Sequence, residues 1–93
     1  MIIAVDFDGT LQIDGKPNLP LFDYLVKSRN KGAILILWTC RAGKSLTEAV
    51  HFCRQNGLLF DFVNDNPPFL IRKLGYNPRK ILADIYIDDK ARR

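Results

Sequence analysis

Four short apolar runs constrain this chain more than anything else in it. They span residues 1–5, 33–38, 60–63 and 81–87, and each gives way to a polar side chain: Asp6, Thr39, Asn64 and Asp88 in turn. Apolar runs of four to eight residues are the length of buried strands, and the segments between them carry helical signals. Pro20 sits in the first turn of one such segment and Gly32 stops it. In the next, Ser45 and Glu48 have capping-box spacing, Leu46, Ala49, Val50 and Cys53 fall on one helical face, and Gly57 closes the element. A third, shorter helix is predicted over residues 67–74, begun by Pro67-Pro68 and ended by Gly75. Strand and helix thus alternate, which predicts an α/β fold with a mainly parallel sheet and helices on its faces.

In a sheet of that kind ligands bind beyond the carboxyl ends of the strands. Residues 6, 39, 64 and 88 therefore become neighbours. Residues 11–18, with Asp14-Gly15 at their centre, read as a small hairpin or flap after the first strand. Nothing repeats, no stretch is of low complexity, and residues 1–93 are expected to form one domain. Asp84 interrupts the fourth run, at the strand's exposed start or paired with a nearby base, and has no catalytic role assigned.

Composition excludes some classes. At 47% hydrophobic and 26% charged the chain is an ordinary globule, and no apolar stretch nears the roughly 20 residues that span a bilayer. Asp6 and Asp8 fall where a secretory signal would be apolar, so a cytoplasmic location is expected, with Cys40 and Cys53 held as thiols. The net charge of +4 hides a separation. If Asp6, Asp8, Asp88 and Asp89 share one site, six other acids face fourteen Lys and Arg, so the site's surroundings should attract anions. Lys90, Arg92 and Arg93 either join that rim or form a solvated tail. Trp38, Phe52, Phe60, Phe62 and Tyr86 are expected in the core rather than as platforms for stacked bases. His51 is expected at the surface, outside any catalysis.

The chemistry follows from the two acidic pairs. Asp6-Phe7-Asp8-Gly9-Thr10 directly follows the first run, and Asp88-Asp89 the last. Four carboxylates at the ends of adjacent strands repel one another without a cation, and oxygen-only ligands suit a hard ion, Mg²⁺ rather than Zn²⁺. Beside such an ion Asp6 is the candidate nucleophile toward phosphorus, and Asp8 reaches past it to protonate the leaving group. Thr39 is the candidate donor to one phosphoryl oxygen, a lysine to another. Gly9, Thr10 and Arg41 are candidate substrate contacts. Gly43-Lys44-Ser45 lacks the first glycine of a P-loop, because Trp38 occupies that place.

Over nearly its whole length the chain resembles the haloacid dehalogenase superfamily of phosphohydrolases. The residues that carry the resemblance are Asp6-Phe7-Asp8-Gly9-Thr10 after an N-terminal strand, Thr39 at the end of an apolar strand, and Ile87-Asp88-Asp89. It implies a Rossmann-like three-layer sandwich and Mg²⁺ dependence. It further implies Asp6 as nucleophile, Asp8 as acid and base with its backbone carbonyl on the metal, and Asp88 or Asp89 as further ligand. For the superfamily's lysine there are two candidates: Lys80, just ahead of the last strand, which is preferred, and Lys73 in the third helix. Neither interval where a cap domain is usually inserted has room for one, so the chain looks like a capless member. The expected substrate is a phosphate ester, small or macromolecular, nucleic acid included, and an oligomer could cover the open site. The other readings are a non-catalytic anion- or nucleic-acid-binding module and a phosphotransferase.

Overall fold

The computed structural model describes residues 1–89; Lys90, Arg92 and Arg93 lie outside the described residues. Strand β1 (Ile2–Val5) leads through a hairpin, β2 (Gln12–Ile13) and β3 (Lys16–Pro17), into helix α1 (Leu19–Asn30). Then follow β4 (Ile34–Leu37), α2 (Gly43–Gln55), β5 (Phe62–Val63), α3 (Pro68–Leu74) and β6 (Ile85–Ile87). The main sheet has the order β5-β4-β1-β6, and its pairings are all parallel. The result is a small α/β domain in which β1 receives β4 on one side and β6 on the other. A strand flanked in that way stands at a topological switch point, where a crevice opens beyond its carboxyl end.

Side chains alternate across β1 and β4 as a strand's period of two requires. Ile3, Val5, Leu35 and Leu37 join one cluster with Phe7 and Leu11, closed by Phe22 and Leu25 of α1 and by Ala49 and Cys53 of α2. Ala4 and Ile36 alternate with them and are equally inaccessible to solvent, so both faces of the central strands are covered. This two-sided burial is why those strands are continuously apolar rather than alternating. Each buried Leu or Ile contributes about 1.5–3 kcal/mol on that account.

The outer strands are shorter than the apolar runs that announce them, and the two acids inside those runs are the reason. Asp61 accepts from the Leu35 backbone N–H (2.8 Å) and from Arg29 Nη2 (3.0 Å), while its own N–H donates to Leu35 O. Asp84 repeats the arrangement on β1, accepting from the Ile2 N–H at 2.7 Å and donating its own N–H to Ile2 O. Each carboxylate caps a donor that the neighbouring backbone leaves unpaired at the amino end of the sheet.

Two local expectations are corrected. Helix α2 begins at Gly43 with Ala42 as its N-cap and no side-chain cap, so Ser45 lies inside its first turn and forms no capping box. Gly43 adopts φ +55°, which turns the chain into the helix two residues early, and Arg41 Nη1 then donates to the Ser45 carbonyl. Trp38 is not core: it is 40% exposed, because it lies beyond the last buried residue of β4. The other predicted features hold locally. The hairpin turns through Asp14 and Gly15, both at positive φ, and Gly75 ends α3 in the left-handed region.

Candidate active site

The carboxyl end of β1 gathers the predicted polar residues. Register pairs Val5 with Leu37 and with Ile87, and Asp6 N–H donates to Ile87 O at 2.9 Å. Asp6 therefore emerges beside Asp88, and Trp38, whose N–H bonds Val5 O at 2.8 Å, brings Thr39 to the other flank. Gly9 turns at φ +75° so closely against the acidic strand end that a Cβ there would lie 3.4 Å from Asp89 Cβ. The first and last acids of the described chain thus share one corner.

Their electrostatics differ. Burial pushes the Asp6 carboxyl above the usual carboxylate range, and the charges of Asp8, Asp89 and Asp88 add to that; the hydrogen bond from the Phe7 N–H to Asp6 Oδ1 (2.8 Å) partly opposes it. Asp8 is shifted the opposite way. It accepts two bonds from one guanidinium, Arg41 Nε at 3.0 Å and Nη2 at 2.8 Å, which hold its carboxyl below the usual range. Arg41 is itself seated 4.6 Å over the Phe7 ring. In this arrangement Asp8 is an ion-pair partner rather than a loaded acid, and Arg41 is turned to Asp8 rather than offered to a ligand.

Thr39 is held with its hydroxyl available. Asn64 Oδ1 accepts from the Thr39 N–H (2.8 Å) and Asn64 Nδ2 donates to the Thr39 carbonyl (2.9 Å), so one amide clamps both backbone groups. The Thr39 Oγ1 accepts from the Arg41 N–H at 3.1 Å, which leaves its own proton for another acceptor. Asn64 does this from φ +51°, a conformation that Asn tolerates better than most residues.

Lys80 reaches the same neighbourhood from another loop. Thr39, Asn64 and Lys80 line one cavity of about 630 Å³ with Trp38 and Tyr86, whereas Lys73 lies on the exposed surface of α3 and outside that lining. The loop bearing Lys80 is pinned by Asn66, which is 1% exposed. The Asn66 amide donates to Asn77 Oδ1, Pro78 O and Lys80 O, and its Oδ1 accepts from the Leu82 N–H. Sequence reasoning passed over Asn66 and gave Asn64 no role of its own. The available signal was an amide side chain at, and just beyond, the end of an apolar run.

The remaining candidates are structural here. The Gly9 N–H is spent on Gln12 O (2.9 Å). Thr10 is buried, its hydroxyl without a hydrogen-bond partner among the described residues, and its carbonyl accepts from Asn18 Nδ2. Cys53 is buried, which pushes its thiol up to about 12, and Cys40 is exposed and unpaired.

Among the described residues no three His, Cys, Asp or Glu side chains converge as a ready metal-ligand set. A Mg²⁺ shell does not require three side chains: Asp6, the Asp8 carbonyl, one of Asp88 and Asp89, and water give the all-oxygen set such an ion takes. Burial is the main cause of the upward shift of Asp6, and the charges of Asp8, Asp89 and Asp88, which a cation would offset, add to it. The donor set therefore fits.

Among the described residues no helix is long and apolar enough to cross a membrane. No family model and no curated protein matches the chain. It is similar to a solved structure, that of a conserved protein of Bacteroides thetaiotaomicron, at 36% identity and a TM-score of 0.82, over 98% of this chain and 77% of that one.

Proposed function

We propose, for a chain that belongs to the same family as this conserved Bacteroides thetaiotaomicron protein, a Mg²⁺-dependent phosphatase of the haloacid dehalogenase type on a Rossmann-like, capless fold. One observation carries the reading: β1 and β6 are parallel neighbours, so that Asp6 and Asp8 share a corner with Asp88 and Asp89 at the switch point of the sheet. The sheet order and the two-sided burial of β1 and β4 support the Rossmann-like, layered description. Only the β2–β3 hairpin separates β1 from α1, and only α3 lies between β5 and β6, which supports the absence of a cap.

The residues divide the work as follows. Asp6 attacks phosphorus, forming an aspartyl-phosphate as the ester P–O bond breaks, and Asp8 gives a proton to the departing oxygen. Water then loses a proton to Asp8 and displaces Asp6, releasing inorganic phosphate. Arg41 must turn from Asp8 for that carboxyl to carry a proton. Thr39, held by Asn64, donates to one phosphoryl oxygen from a fixed position, which is where such a donor acts most strongly, and Lys80, whose backbone carbonyl accepts from Asn66, donates to another. Mg²⁺, held by Asp6, the Asp8 carbonyl and Asp88 or Asp89, supplies when bound the charge neutralisation that lets an anion approach four acids. On this reading residues 1–93 form one domain that works in the cytoplasm, with an oligomer covering the open site.

The test is phosphate release from p-nitrophenyl phosphate. Asp6→Asn and excess chelator are each expected to abolish it. Undiminished turnover by Asp6→Asn would rule out the covalent mechanism. Salt-sensitive phosphate binding with no turnover by the native protein would favour a non-catalytic anion-binding module, and transfer to added alcohols a phosphotransferase.

A further inference from the structure

The cavity beside the proposed phosphate site is lined by two chemically distinct sets of side chains. One set is Thr39, whose hydroxyl proton is not used by the Arg41 N–H bond, and the exposed Lys80 and Arg79. Neither cation has an ion-pair partner among the described residues. The other set is aromatic: Trp38 and Tyr86 meet edge to face, with ring centroids 5.8 Å apart and planes at 71°. Tyr86 is a rigid wall, because its hydroxyl donates to Ile81 O and accepts from the Ala83 N–H at 3.0 Å. Trp38 keeps 40% of its surface in solvent although it borders the cavity. An indole left half-exposed against a fixed ring, next to cations with no ion-pair partner among the described residues, is an unusual use of the chain's one Trp.

We infer that this cavity binds a phosphate ester carrying a planar aromatic ring of mononucleotide size, the ring lying against Trp38 and Tyr86 and the phosphate at Thr39 and Lys80. The inference names the substrate class of the site proposed above and rests on that proposal only for the fate of the phosphate. Volume favours this class over a bare anion, since about 630 Å³ is the scale of a small-molecule pocket rather than of a phosphate ion. Aromatic faces accept any base by stacking, so recognition of the ring need not discriminate among bases. Cations near the rings add to the attraction for an electron-rich, anionic ligand.

Because Trp38 is the single Trp, its fluorescence reports on the cavity directly. Asp6→Asn, in which the proposed chemistry is off, is titrated in the presence of Mg²⁺ with adenosine 5′-monophosphate, thymidine 5′-monophosphate and ribose 5-phosphate, the further substitutions below are made in the same background, and affinities are confirmed by calorimetry. Both nucleotides are expected to quench Trp38 and to bind roughly 5- to 100-fold more tightly than the sugar phosphate, the range that stacking on one aromatic side chain supplies. Trp38→Leu should bring the nucleotides to the sugar phosphate's affinity and leave the latter unchanged, whereas Trp38→Phe should keep most of the preference. Lys80→Met should weaken all three ligands by a similar factor. Equal affinity for nucleotides and ribose 5-phosphate, or a preference that survives Trp38→Leu, would overturn the inference. Tight nucleotide binding without phosphate release by the native protein in Mg²⁺ would sustain it and remove the phosphatase reading. Equal kcat/KM for ribose 5-phosphate and both nucleotides would sustain the phosphatase and remove the ring site.

Discussion

Asp6 shows how a single residue can work against the fold that carries it. Its carboxyl is shifted upward by burial and by Asp8, Asp89 and Asp88, so the folded chain holds a proton there more tightly than the unfolded chain does. Ionised Asp6 is therefore a liability at neutral pH. The penalty is fully present above the raised folded value and vanishes as pH falls below about 4, the unfolded value. Asp6→Asn keeps an acceptor for the Phe7 N–H and removes the charge. In excess EDTA it is expected to raise Tm by about 1–3 °C at pH 7, a small gain because water reaches the group and screens it. The gain should shrink toward zero near pH 4. Thermal unfolding followed by circular dichroism checks this, and a variant less stable than the native protein at pH 7 would contradict the electrostatic account. Asp8 was legible as a partner of Asp6 from its position two residues on; that Arg41, thirty-three residues away, claims its carboxylate was not, because nothing local in either segment records their approach.

At the scale of elements, short strands are finished by side chains rather than by more backbone. Asp61 and Asp84 interrupt two of the apolar runs, and each caps a strand donor at the amino end of the sheet. The loop from α3 to β6 is organised in the same way around Asn66, which engages Asn77, Pro78, Lys80 and Leu82 with one buried amide. Asn66→Ala leaves several of these groups unpaired and is expected to cost about 2–4 kcal/mol in urea unfolding. Under conditions where it remains folded, it should raise KM for a phosphate ester more than it lowers kcat, since Lys80 loses its support. A loss below about 0.5 kcal/mol would mean that water replaces the amide. Helix α2 was legible from its apolar spacing, but its start was not: the Ser45–Glu48 pattern offered a cap that the turn at Gly43 pre-empts.

Across the whole molecule, four acids meet at one corner of a chain whose net charge is nevertheless +4, so the remaining surface is markedly basic. An anionic substrate is drawn by that surface until salt screens it. Raising ionic strength from about 0.01 to 1 M shortens the Debye length from about 30 to 3 Å, and KM for a phosphate ester is expected to rise several-fold while kcat stays within about twofold. A salt-independent KM would show that the basic surface plays no part in capture. The alternation of apolar runs with helical spacing, and the polar residue that closes each run, were properties of the sequence alone, because strand and helix periodicity are local and burial on both faces demands continuous apolar segments. So were the identities of Asp6, Asp8, Thr39 and the Asp88-Asp89 pair as candidates. Tertiary structure alone decided that Arg41 holds Asp8, that Asn64 clamps the Thr39 backbone and Asn66 the Lys80 carbonyl, and that Trp38 faces a cavity instead of the core. Those are side-chain contacts between segments far apart in sequence, and no local pattern of residues records them.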